Sequence, residues 1–165
     1  MTLHEHRWAP EASAFHRDLV QAIFAREAHD PGVQVSNVGG WHSTPDLLDW
    51  DDPAIVPLTE RILEGVARFD TGATRMQAWA TVMRRGAYHL AHRHGAAYWS
   101  GVYYLDPGNE GCGGRITFAQ GETHRTIAPA EGLLLLFPGD LLHSVEVYTG
   151  ERPRVAVAFN LAIFA

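Results

Sequence analysis

The chain of 165 residues holds a single cysteine, Cys112, so no internal disulfide can form. It has no Lys/Arg-rich tract, and 13 basic against 19 acidic side chains leave a formal charge of −6. A nucleic-acid partner is therefore not expected, because such binding rests on a basic surface. Long hydrophobic runs are absent as well. The longest strongly apolar stretch is residues 132–137, far short of the roughly 20 residues that cross a bilayer. The tract from Met1 to Arg7 lacks the apolar segment of a secretory signal. Together with the lone thiol, this sets the expectation of a cytoplasmic protein with no membrane partner. Cys112 lies in Gly111-Cys112-Gly113-Gly114, which reads as a loop, and no triad partner suggests itself, so no catalytic role is expected for it.

What is present is ordinary globular material: 46% apolar and 19% charged residues. The length fits one domain over 1–165, with about 70% of the unfolded surface hidden on folding. Sixteen glycines and nine prolines point to many turns. Residues 1–75 read as mostly helical. Phe15, Leu19, Ile23 and Phe24 share one face of a helix over 10–28, and Asp30-Pro31-Gly32 ends it. Ile55, Leu58, Ile62, Leu63 and Val66 repeat likewise over 53–69, ended by Asp70-Thr71-Gly72. Between the two lies a polar, Gly-rich loop, 36–43, with Trp41 as its one aromatic. From Met76 the pattern becomes short strands over 76–84, 98–105, 115–119, 123–127, 132–137, 143–148 and 154–163. Evenly spaced strands of this kind form a sandwich or barrel.

The most informative cluster is His89-Leu90-Ala91-His92-Arg93-His94. Residues two apart on a strand project to one side, so His92 and His94 can reach a common metal. Imidazole suits iron, copper, nickel and zinc. Spacing alone is weak ground: with ten histidines, chance yields about 0.6 H-x-H pairs. His4-Glu5-His6 is a second such pair and reads as a frayed terminus. The downstream context strengthens the first pair. Residues 132–137 form a buried strand, Pro138-Gly139 a turn, and His143 opens the next strand where a third ligand is wanted. Arg154 then begins an apolar closing strand, and an Arg there needs an anion, since an unpaired buried charge is costly. That anion is either a structural Asp or Glu or a bound carboxylate, which guanidinium grips with two parallel hydrogen bonds.

Taken in order, Ser36-Asn37-Val38-Gly39-Gly40-Trp41, the H-x-H pair, Trp99-Ser100-Gly101-Val102-Tyr103-Tyr104-Leu105, Leu136-Phe137-Pro138 with His143, and Arg154 with Ala158-Phe159-Asn160 resemble the 2-oxoglutarate- and Fe(II)-dependent oxygenases. Within them the chain is similar to a prolyl-hydroxylase-like branch marked by S-G-V-Y-Y. The resemblance spans nearly the whole chain. It implies a mainly β fold, a double-stranded β-helix (jelly roll) with two N-terminal α-helices packed on it and the metal at its open end. It implies an enzyme that oxidises a small-molecule or amino-acid-like substrate with molecular oxygen, releasing succinate and CO2. Carried over by position, His92 and His143 are the two histidine ligands of Fe(II). His94 stands where the wider superfamily has Asp or Glu. Arg154 and Tyr104 hold the distal carboxylate of 2-oxoglutarate. Ser100 and Val102 share the face of Tyr104 and line the pocket.

Other readings stay open at this level. His89-Leu90-Ala91 resembles the H-x-Ala of related halogenases. Gly86, His92-x-His94 and Pro138-Gly139 with His143 resemble the two cupin motifs, although the cupin glutamate is missing. Three imidazoles also suit zinc, and a barrel can keep its shape as a non-catalytic binding module. Tyr88, Tyr98, Trp99, Trp41 and Trp79 are candidates to shape the pocket, with a core role the more frequent one for such aromatics. A homodimer is the base-rate expectation.

Overall fold

The computed structural model describes residues 1–69, 72, 75–95 and 97–162. The helix stop at Asp70-Thr71 and the strand end at Ile163 lie outside the described residues. Two antiparallel sheets face each other. Among the described residues eleven strands build them: β1 (His4–Arg7), β2 (Asn37–Val38), β3 (Trp41–His42), β4 (Arg75–Met83), β5 (Tyr88–His92), β6 (Trp99–Asp106), β7 (Ile116–Gln120), β8 (Thr123–Ile127), β9 (Leu133–Pro138), β10 (Leu142–Val145) and β11 (Arg154–Ala162). The six-stranded sheet runs β1-β9-β6-β11-β4-β3 and the five-stranded sheet β2-β5-β10-β7-β8. Helices α1 (His16–Glu27) and α2 (Ile55–Ala67) complete the fold, and among the described residues no helix is long and apolar enough to cross a membrane.

Alternation along the strands divides the interior in two. Val155, Val157, Phe159 and Leu161 of β11, with Ala78, Ala80 and Val82 of β4, pack against Leu19 and Ile23 of α1 and Leu58 and Ile62 of α2. The opposite face of the same sheet turns toward the five-stranded sheet. There Tyr104, Leu133, Leu135, Phe137 and Ala156 meet Ile116 and Phe118. The two helices thus cover one side of the large sheet, and the other side is free to enclose a site.

Several local expectations are corrected. The helix expected from Pro10 starts at His16, because Pro10–Ser13 form a separate 3-10 turn. The second starts at Ile55, where the Asp52 carboxylate accepts from the Ala54 amide at 2.8 Å and ends the preceding turn. His4–Arg7 is no frayed terminus. It pairs in register with Leu133–Leu136 of β9, with His4 stacked on Phe69 and His6 against Trp8. The loop over 36–43 contains two short strands, and it crosses from one sheet to the other between them. Gly40 makes that crossing at φ 66°, where a Cβ would stand 2.5 Å from the Val82 carbonyl oxygen.

Candidate metal and cosubstrate site

The three histidines singled out by the sequence converge. His92 on β5 and His143 on β10 are direct cross-strand partners, with ring centroids 4.3 Å apart. His94 lies 5.0 Å from His92 and 5.1 Å from His143, centroid to centroid. One ligand nitrogen from each ring falls within 4.8 Å of the others. Strand alternation does not bring His92 and His94 together, however, because β5 ends at His92. His94 sits in the following turn, its amide donating to the Gly139 carbonyl at 2.7 Å. The β9–β10 turn can approach that closely because residue 139 is glycine; a Cβ there would fall 2.2 Å from the Ala97 carbonyl oxygen.

The tautomers are set by the backbone. Nδ1 of His92 donates to the Leu90 carbonyl at 2.7 Å, and Nδ1 of His143 to the Leu141 carbonyl at 2.8 Å. A carbonyl only accepts, so both rings carry their lone pair on Nε2, the arrangement a metal ligand needs. Burial lowers the pKa of His92, takes His94 to about 4 and His143 to about 3, with the neighbouring imidazoles adding to the last two. At neutral pH all three are uncharged and able to coordinate.

Beside them opens a cavity of about 520 Å³, within the usual range of small-molecule sites. Among the described residues no Asp or Glu lines it, so the fourth, carboxylate ligand of a cupin has no counterpart there. Arg154 and Tyr104 both line it. Arg154 is 3% exposed, its guanidinium carbon 5.0 Å from the centre of the Tyr104 ring. No acid lies within ion-pair distance of it among the described residues, and both its Nε and the Tyr104 hydroxyl are buried without a hydrogen-bond partner. Nη1 of Arg154 donates to the Met83 sulfur at 2.6 Å, an uncharged and weak acceptor, so a buried cation without an anion beside a buried phenol without a partner calls for an anionic oxygen ligand. Burial raises the Tyr104 pKa, so the phenol stays protonated and can donate.

The rest of the sequence reading divides. Ser100 lies on the expected face, but its hydroxyl donates to Asn160 Oδ1 at 2.8 Å, and Asn160, not Ser100, borders the cavity alongside Val102. Of the aromatics, Trp79 lines the cavity; Trp41 belongs to the helix-side core, Trp99 packs against it, and Tyr98 is largely exposed.

Two further imidazoles line the cavity outside the triad: His42, which sequence reasoning missed, and His89, which it raised only through the halogenase-like H-x-Ala pattern. His42 stacks on Trp79 at 5.5 Å, and its Nδ1 donates to the Ser43 carbonyl at 2.7 Å. His89 faces inward with His92 because a bulge in β5 sets Leu90 and Ala91 against the single Ser144 of β10. The Ser36 hydroxyl lies 3.3 Å from His89 Nδ1 and 3.4 Å from His92 Nε2. Periodicity in β4 and β11 could have flagged Gln77 and Asn160; no local signal marks the β5 bulge.

The family model described as "Putative 2OG-Fe(II) oxygenase" matches residues 77–124 and 117–160, together just over half of the chain. No curated protein matches. Solved structures do. A prolyl-4-hydroxylase of Pseudomonas putida aligns over 99% of this chain and 93% of its own, at 16% identity and TM-score 0.74. A prolyl hydroxylase of Trichoplax adhaerens, solved with a peptide of hypoxia inducible factor, aligns over 96% and 82%, at 16% identity and TM-score 0.77. The alpha-ketoglutarate-dependent epimerase SnoN of nogalamycin biosynthesis aligns over 97% and 77%, at 11% identity and TM-score 0.74. At these identities the likeness is one of fold, that of the double-stranded β-helix oxygenases.

Proposed function

Because the chain belongs to the 2-oxoglutarate/Fe(II)-dependent oxygenase family, whose cofactors are Fe(II) and 2-oxoglutarate, we propose that His92, His94 and His143 hold its iron and Arg154 its cosubstrate. The observation that carries this reading is the buried, unpaired Arg154–Tyr104 couple opening into the same cavity as three neutral imidazoles. Iron bound there supplies oxygen activation coupled to the breakdown of 2-oxoglutarate into succinate and CO2.

The chain's own contribution is orientation and exclusion. The Leu90 and Leu141 carbonyls hold two imidazoles with Nε2 forward. Phe118 and Phe137 pack on the His143 ring, with centroids 5.9 and 4.8 Å away, and keep water from that side. Arg154 grips the far carboxylate of 2-oxoglutarate, with the Tyr104 hydroxyl as the second donor. His94 replaces a negative ligand with a neutral one, so the site holds its metal with one charge less than a 2-His-1-carboxylate set. Hydroxylation of a small or amino-acid-like substrate is the reaction we assign.

The test is anaerobic titration of the purified protein with Fe(II) and 2-oxoglutarate, followed by oxygen and measurement of succinate. Succinate formed by the wild type and lost in His92→Ala and His143→Ala supports the assignment; full iron occupancy in either variant refutes it.

A further inference from the structure

At the end of the cavity away from Arg154 the large sheet presents a row of polar side chains. Asn160 of β11 is the direct partner of Gln77 on β4 and of Ser100 on β6. The Ser100 hydroxyl holds Asn160 Oδ1 at 2.8 Å, which leaves the Asn160 amide nitrogen as a donor toward the cavity. Gln77 is exposed and its side chain makes no hydrogen bond with a described residue, so its carboxamide offers an acceptor. Direct cross-strand neighbours stand about 5 Å apart at Cβ, so donor and acceptor lie side by side. The N–H and C=O of one extended residue point the same way, as in an antiparallel ladder, and would meet such a pair together. Elsewhere the lining of the cavity includes the exposed apolar side chains Val33, Val35 and Leu90. Among the described residues no acid lines the cavity to receive an ammonium group.

We propose that the substrate is an amino-acid residue whose amino and carboxyl groups are both in amide linkage, with Asn160 donating to its carbonyl and Gln77 accepting from its N–H. The proposal rests on the oxygenase reading above. It excludes a free amino acid, whose ammonium would enter the cavity without a partner, and a prolyl residue, which lacks the N–H. The uncharged side chain of the residue points down the cavity toward the three imidazoles.

The test is calorimetric titration of protein loaded with Zn(II), as a redox-inert stand-in, and 2-oxoglutarate. The probes are N-acetyl N-methylamides of leucine, valine and phenylalanine, the leucine analogues with a free ammonium or a free carboxylate, and the proline N-acetyl N-methylamide. We expect at least one doubly capped probe to bind tenfold or more tighter than its ammonium, carboxylate and proline counterparts. Gln77→Leu, at an exposed position, should remove that advantage while 2-oxoglutarate binding stays as in the wild type. A capped pentapeptide with the preferred residue at its centre distinguishes the two sources of the chemistry: tighter binding assigns a peptide chain, weaker binding a free-standing acylated amino acid. Equal or tighter binding of the ammonium or carboxylate forms, no binding of any capped probe, or no effect of Gln77→Leu overturns the proposal. Failure of the wild type to bind 2-oxoglutarate at all overturns the oxygenase reading itself, and this inference with it.

Discussion

Replacing Arg154 by methionine should move stability and cosubstrate affinity in opposite directions. Arg154 is buried, faces no acid among the described residues and has an unbonded Nε. Taking a guanidinium out of water without an anion costs several kcal/mol, of which the stacking on Tyr104 returns about 2 kcal/mol. The remainder, about 2 kcal/mol, opposes folding of the empty protein. Methionine fills similar space without a charge. At roughly 2–4 °C per kcal/mol for a chain of this length, Arg154→Met should raise the melting temperature of the metal-free protein by about 4–8 °C. The same change removes a charge-assisted pair with 2-oxoglutarate worth about 3 kcal/mol, a loss of roughly 100- to 200-fold in affinity. Differential scanning calorimetry with and without 2-oxoglutarate reads both effects in one series. A variant that melts lower and binds 2-oxoglutarate unchanged would show that Arg154 is a structural residue, and the cosubstrate assignment would fall.

His143→Ala should lower iron affinity by at least 100-fold, measured by metal content after dialysis at fixed free Fe(II), since it deletes the most buried imidazole of the three. His89 gives a pH dependence: burial first, and Arg154 second, take its pKa to about 3 in the folded protein. Because its folded pKa lies below the unfolded value near 6.5, its contribution is fully present above pH 6.5 and is lost as pH falls toward 3. At pH 5 the loss is about 2 kcal/mol, and His89→Asn should flatten the fall in urea-unfolding stability between pH 7 and pH 5; an unaltered slope would contradict it. Gly40→Ala should cost about 2 kcal/mol or more, seen as a melting temperature lower by about 4–8 °C, because a Cβ there meets the Val82 carbonyl oxygen at 2.5 Å in a left-handed backbone. A near-neutral Gly40→Ala would mean the crossing between sheets can relax.

Much of the site was legible because its parts follow local rules. His143 stands where a buried strand and a Pro-Gly turn deliver it, and Arg154 where a charge enters an apolar strand. The two helices, β4 and β6 to β11 follow from periodicity, most with ends displaced by one to a few residues, whereas β5 was not delimited. Short pairings were less legible. His4–Arg7 carries too few residues to show a period, and it becomes a strand only because the edge of β9 is there to receive it. Residues 37–38 and 41–42 are strands for the same reason.

The sequence by itself indicated a sandwich or barrel of short strands and singled out three imidazoles and one guanidinium, because alternation, turn chemistry and residue type show within a short stretch; whether Arg154 meets a structural acid or a bound carboxylate it left open. Tertiary structure alone decided which side chains share the cavity. A bulge in β5 turns His89 inward, the Gly39-Gly40 crossing carries His42 to the opposite wall, and Ser100 is drawn to Asn160. Those outcomes depend on strands far apart in the chain meeting in one register. No local pattern encodes that distance, and only the packed sheets supply it.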